Sequence, residues 1–167
     1  PLQVVPLTRA WKGLAVTADG ARAFGLAEDP SRPLGHVLHT VDRVSGQITS
    51  LTNAPELDAV ASLTLDEVAG RLITRSTTPA TLGTLVGFDL TPAYRWTLAV
   101  PGAAGLTFAT NRSGAGFLVP YVAPQPLPLH RLDVASGTFT ETADVTTRAG
   151  LAPGNYLLLL LSPPRAP

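Results

Sequence analysis

Three histidines, His36, His39 and His130, are the residues best suited to metal chemistry, and a zinc site needs three or four such ligands converging on one point. Two of them weaken that prospect by their spacing. His39 stands three residues before Asp42 and His130 three before Asp133, so they hold the same phase in separate segments that end alike. A shared phase in a repeat puts them in equivalent places, well apart, and not around one ion. The matching aspartates Asp42, Asp89 and Asp133 suggest a ring of carboxylates. An aspartate at a strand end beside a turn, however, accepts backbone hydrogen bonds, and that structural role is expected for all three and for Asp19 in Asp19-Gly20. Glu56, Asp58, Asp66 and Glu67 form the densest acidic group, but they lack the alternating oxygen ligands and fixed glycine of a calcium loop.

Nucleophilic chemistry finds no support either. There is no Gly-x-Ser-x-Gly elbow, phosphate-cradling glycine loop or dinucleotide fingerprint. Ser45, Ser113 and Ser136 adjoin glycines and belong to turns. Asn111-Arg112-Ser113 matches a glycosylation sequon, which matters only in a eukaryotic secretory setting. The sequence therefore assigns no catalytic, cofactor-binding or metal-binding residue and no cofactor, and it leaves the binding residues unidentified. What remains is recognition. Trp11, Tyr94, Trp96 and Tyr121 fall near strand or loop ends, where packing is the first expectation and a recognition surface the second. The proline-rich connections 28–35 and 123–128 are loops of the kind that carry partner recognition.

The elements that must position these residues are set by composition and patterning. Hydrophobic residues make up 45% and charged residues 14%, against the ~25% charge of an average soluble domain, so the chain is built to bury a core. Sixteen prolines and 15 glycines are scattered without a three-residue period and read as turn punctuation in a strand-rich fold. Twelve basic and 12 acidic residues balance, and Lys12 is the lone lysine, so there is no basic stripe for nucleic acid. The longest apolar run, 157–161, is far short of the ~20 residues of a membrane span. Cysteine is absent, which excludes disulfides and thiolate chemistry. A chain that opens at Pro1, without methionine or signal-peptide features, is expected to be a processed product or a piece of a longer polypeptide.

One repeat of roughly 45 residues organises the chain. Residues 14–24, LAVTADGARAF, match 63–73, LTLDEVAGRLI, without a gap, and a third copy runs from Leu106-Thr107-Phe108 through a longer turn at 111–114 to Phe117-Leu118-Val119. Each copy reads strand, polar turn, strand. Segments 37–42, 85–89 and 129–133 follow, each ending in aspartate, and Ser45-Gly46 and Ser136-Gly137 supply the positive φ that a tight hairpin requires. Taken alone, Leu57, Ala61, Leu65, Val68 and Leu72 fall at helical spacing, yet the ungapped match to the first copy predicts strands there.

Four hairpin-linked strands per unit cannot bury both faces of a sheet unless another unit stacks against it, and stacking around an axis makes a propeller. The fold class expected is all-β, a β-propeller-like array of four-stranded antiparallel sheets, with three units plus a partial fourth. Unit boundaries fall at about 11–54, 58–101 and 104–146, with the partial unit at 149–161, all within a single repeat domain that could be a fragment of a larger propeller. The leucine run of the last segment implies burial on both faces, and residues 2–7 are an alternative source of a closing strand.

A strand reading LAVTADGARAF followed by one reading LHTVDRVSGQI resembles the bacterial β-propeller repeat proteins with YVTN-type and lactonase-like blades, over about residues 11–145. The resemblance implies a bacterial setting, secreted or periplasmic, and two functional readings. The first is a non-catalytic binding or scaffold module that contacts a protein or carbohydrate partner through propeller loops. The alternative is a metal-dependent lactonase-like hydrolase, whose ligand pattern is not recognisable in these residues. A third reading is a structural part of a larger repeat protein, with additional repeats or a partner chain completing the open sheet edge.

Overall fold

The computed structural model describes residues 10–52, 55–76, 83–91, 93–100, 106–120 and 128–144. The expected partial unit at 149–161, residues 2–7, Tyr121 and most of the 123–128 connection lie outside the described residues. Among the described residues twelve strands form three four-stranded sheets, each an up-and-down meander of consecutive antiparallel neighbours. The first holds β1 (Trp11–Val16), β2 (Arg22–Glu28), β3 (His36–Asp42) and β4 (Ile48–Thr52). The second holds β5 (Val60–Asp66), β6 (Arg71–Ser76), β7 (Thr84–Asp89) and β8 (Tyr94–Ala99), and the third β9 (Leu106–Thr110), β10 (Ala115–Pro120), β11 (Pro128–Asp133) and β12 (Thr138–Asp144). The all-β expectation holds.

Between Pro55 and Leu72 the helical spacing is accidental. A single 3-10 turn covers Pro55–Leu57, then β5 and β6 form a hairpin. Leu63 and Leu65 alternate into the core while Val68 sits exposed in the turn, so period two prevails over period 3.6. Strand pairing keeps the ungapped match: Val16 faces Ala23 as Leu65 faces Leu72. The turns themselves slip by one residue. In the first sheet Gly20 N–H donates to Thr17, whereas in the second Gly70 N–H donates to Glu67, and the glycine moves with the turn because each needs φ near +65°.

Core residues lie between sheets. Ala15, Phe24, Leu26 and Leu38 of the first sheet pack against Leu63, Leu65, Leu72 and Phe88 of the second. The opposite face of the second sheet carries Ile73, Leu85 and Trp96, which meet Leu106, Leu118 and Leu132 of the third. Strands β1 and β5 approach so closely that a Cβ on Gly13 would lie 2.8 Å from the backbone nitrogen of Leu63. Trp96 is wedged between the second and third sheets, donating its indole N–H to Val134 O at 3.1 Å, and its ring occupies the space left open by Gly87 and Gly137.

Polar ties join the same sheets. The fully buried Asp66 carboxylate accepts Ala69 N–H of its own turn, and across to the third sheet it accepts Thr110 Oγ1–H and Gly114 N–H. Arg75 donates to Leu106 O at 2.8 Å and Arg71 to Ala135 O at 3.2 Å. Glu67 accepts Ala18 N–H and so ties the second sheet to the first.

Candidate functional site

The repeated aspartates serve the turns. Asp42 Oδ1 accepts Val44 N–H, Ser45 N–H and Ser45 Oγ–H, and Asp133 Oδ1 accepts the amide and hydroxyl of Ser136. Asp89 accepts Thr91 and Ala93 amides and the Arg95 guanidinium. Burial pushes the Asp89 carboxyl up, but these hydrogen bonds outweigh it and hold it at about 2. Asn111 Oδ1 accepts Ser113 and Ala115 amides, a turn role for the sequon asparagine. Glu56 and Asp58 stand at one end of β5 and Asp66 and Glu67 at the other, so the acidic group does not converge.

Nor do the histidines. His36 donates its Nδ1–H to Leu57 O at 3.1 Å. His39 stacks beneath Trp11 with ring centroids 6.0 Å apart and meets the Ser50 hydroxyl at 3.3 Å, its cross-strand neighbour. His130, in the third sheet, lies against Phe139, and burial lowers its pKa. Among the described residues no three histidine, aspartate or glutamate side chains group as they would around a metal ion.

One loop singled out by the sequence does build a site. The connection between β2 and β3 folds on Asp29, whose N–H donates to Gly35 O at 2.8 Å, closing the loop. Its Oδ1 accepts the Ser31 hydroxyl at 2.7 Å and the Ser31 amide at 3.0 Å, and its Oδ2 takes Arg32 Nε–H at 3.2 Å. The Ser31 hydroxyl and amide, opposed by burial and aided by Arg32, hold the Asp29 carboxyl at about 2. Arg32 then reaches across to Asp58 at 3.0 Å, and Ala59 N–H donates to Leu34 O at 2.7 Å. Together with the His36 to Leu57 bond, these contacts fasten the loop of the first sheet to the entry of the second.

The result is a cleft of about 600 Å3, walled by Lys12, Glu28, Arg32, Leu34, His36 and Val60. Lys12 and Glu28 form an ion pair of 2.9 Å on its rim. Leu34 is 69% exposed and sits at φ 61°, a left-handed conformation costly for a branched side chain. The loop was legible from its prolines. Arg32, Leu34 and Asp58 were not, because their roles depend on the second sheet.

A second concavity lies where β1, β5 and β9 meet, lined by Leu14, Val16, Thr17, Thr64, Thr110 and Arg112 among others, none of them acidic or an amide. Tyr94 is partly exposed on the second sheet, edge-on to Phe88.

Meander sheets stacked face to face, with their first strands side by side, define the β-propeller class. No protein-family model matches the sequence, and no curated protein does. Among solved structures the chain is similar to U3-55K, with 13% identity and a TM-score of 0.57 over 83% of this chain and 40% of that one. It is similar to the WD40 repeats of RRP9 (13% identity, TM-score 0.55, 82% of this chain and 39% of that one). A third likeness is to the β-propeller domain of the Trilobed protease from Pyrococcus furiosus (11%, TM-score 0.54, 78% and 42%). These likenesses establish the fold alone, and the chain spans about two fifths of the length of each of these three structures. Among the described residues no helix is long and apolar enough to cross a membrane.

Proposed function

We propose that the protein is a non-catalytic binding or scaffold module that engages a protein or carbohydrate partner at the cleft beside the 28–35 loop. The observation that carries this reading is an exposed leucine in a left-handed conformation, displayed by a loop whose backbone is fixed by Asp29 and Arg32. Backbone strain survives only where surrounding contacts over-determine it, and a fixed loop binds without first losing conformational entropy. The flanking ion pairs supply polar groups around an apolar centre, the usual composition of a recognition patch. Ser31 donates its hydroxyl to a carboxylate and has no histidine base in that bond, which speaks for binding and not acyl transfer.

Within the same proposal the repeat belongs with the lactonase-like and YVTN-type blades of exported bacterial proteins, on the residues quoted above. The three sheets are then units of about 11–54, 58–101 and 104–146 in a larger ring, a reading supported by the fraction of the matched propellers that the chain spans.

A panel of immobilised oligosaccharides and peptides, screened with the purified protein, tests the reading. A bound species whose affinity falls at least about tenfold in both Leu34→Gly and Arg32→Ala supports it. Binding that neither substitution alters, or an ordered calcium, manganese or zinc ion in the β1, β5, β9 concavity with hydrolysis of a lactone, would replace it with the enzymatic alternative.

A further inference from the structure

The face that one sheet turns to the next is built on four positions. In the first sheet these hold Ala15, Phe24, Leu26 and Leu38, all buried against the second sheet. Strand register carries the pattern onward. Thr64 opposite Ile73 stands where Ala15 stands opposite Phe24, and Arg75 opposite Leu85 stands where Leu26 stands opposite Leu38. In the third sheet the positions of Thr64, Ile73 and Arg75 hold Ala109, Phe117 and Val119. The second sheet therefore places a hydroxyl and a guanidinium where the other two place aliphatic side chains, Leu26 and Val119 being 0% and 5% exposed.

A guanidinium at a position that otherwise buries an aliphatic group carries a desolvation cost, which a carboxylate normally offsets. Arg75 makes no ion pair among the described residues. Its Nη1 donates to Leu106 O at 2.8 Å, which leaves Nε and Nη2 without an acceptor among them. The adjoining sequence segments, 77–82 after β6 and 101–105 before Leu106, hold no acidic residue.

Strand β5 is irregular at the same place. Its register against β6 shifts between Ala61 and Leu63, and the added residue, Ser62, stands at φ 66°, a conformation costly for any residue but glycine. Neither the Ser62 nor the Thr64 hydroxyl has a hydrogen-bond partner among the described residues. Ser62, Thr64 and Arg75 line a cavity of about 180 Å3 between the second and third sheets, with Ile73, Leu85 and Phe108 as its apolar walls. It shares no residue with the cleft beside the 28–35 loop.

We infer that this cavity binds a short aliphatic monocarboxylate. Arg75 offers two unused N–H groups to the carboxylate, the Ser62 and Thr64 hydroxyls take its remaining lone pairs, and the alkyl end rests on Ile73, Leu85 and Phe108. The volume of about 180 Å3 admits about six non-hydrogen atoms at the roughly 30 Å3 that each water molecule occupies. Phosphate suits the site less, because its further oxygens would face the apolar walls unpaired.

Nitrogen-15 correlation NMR of the full chain, titrated with acetate, propionate, butyrate and inorganic phosphate at constant ionic strength, is the test. Butyrate should shift the amides of Ser62, Thr64, Arg75 and Phe108 saturably, with a Kd on the order of 1 mM. Each methylene removed should weaken binding about fourfold. Arg75→Leu restores the residue type of the first sheet and Ser62→Gly suits φ 66°, so both should keep or raise the thermal midpoint. Binding should nevertheless fall at least about tenfold in Arg75→Leu and about threefold in Ser62→Gly.

Absence of saturable shifts with all three carboxylates overturns the proposal, as do shifts scattered away from the cavity. Phosphate binding as tightly as butyrate overturns the carboxylate assignment. Unchanged butyrate affinity in either variant also overturns it. Should Arg75→Leu fail to fold, Ser62→Gly and the wild-type titration decide.

Discussion

Replacing Asp66 by alanine tests how adjacent sheets are locked. The carboxylate is fully buried and accepts Ala69 N–H at 3.0 Å, Gly114 N–H at 3.0 Å and the Thr110 hydroxyl. Thr110 retains a second acceptor, Ala115 O at 3.2 Å, so its hydroxyl recovers. The two amides do not. Each hydrogen bond to a charged group contributes about 1.5 to 3 kcal/mol, and water entering beside the half-buried Gly114 recovers part of one, so Asp66→Ala should cost about 3 kcal/mol. Asp66→Asn keeps the shape and one acceptor but turns an N–H toward a donor, and should cost about half as much. With a urea dependence of about 2 kcal/mol per molar, the alanine variant unfolds about 1.5 M earlier. Urea titration followed by circular dichroism and by tryptophan fluorescence measures it, since Trp96 lies in the interface that Asp66 closes. A loss below about 1 kcal/mol, or strict additivity with Thr110→Val, would refute the idea that this carboxylate couples the second and third sheets.

Lowered carboxyl pKa values set the acid limit. Asp29 and Asp89 are held at about 2 against an ordinary 3.8, so their contribution is full above the ordinary value and disappears as pH falls toward about 2. Asp42 and Asp133 are lowered in the same sense by their turn serines. Unfolding midpoints should therefore drop steeply between those limits, with a shallower slope in Asp89→Asn. Gly13→Val should cost about 1 to 3 kcal/mol by forcing β1 from β5, measurable by thermal unfolding. Thr74 has a buried hydroxyl without a hydrogen-bond partner, so Thr74→Val should be neutral or stabilising by up to about 1 kcal/mol; a clear loss would mean that the hydroxyl has a partner. Leu34→Gly should stabilise the chain or leave it unchanged, by up to about 1 kcal/mol, because glycine accepts φ 61° at no steric cost, while partner affinity falls.

Much of the fold was legible from the order of residues. Alternation in LAVTADGARAF, the terminal aspartates and the Ser-Gly turns are local features whose partners lie within a few residues. Asp42 with Ser45 and Asp133 with Ser136 could be read from spacing because their geometry closes inside one turn. Ungapped matching even overruled the helical spacing of Leu57 to Leu72, since a repeat constrains each copy by the others.

What tertiary structure alone decided lies between the sheets. In the sequence Asp66 is one member of the densest acidic group, yet in the fold it is buried and accepts Gly114 N–H, 48 residues away. Trp96 became a wedge through Val134, 38 residues on. In the cleft, the 28–35 loop was foreseeable as a loop, but the leucine it displays depends on Arg32 reaching Asp58 and on Ala59 bonding Leu34. A strand's alternation says which side chains share a face. It carries no information about what that face meets, because the meeting is determined by residues distant along the chain.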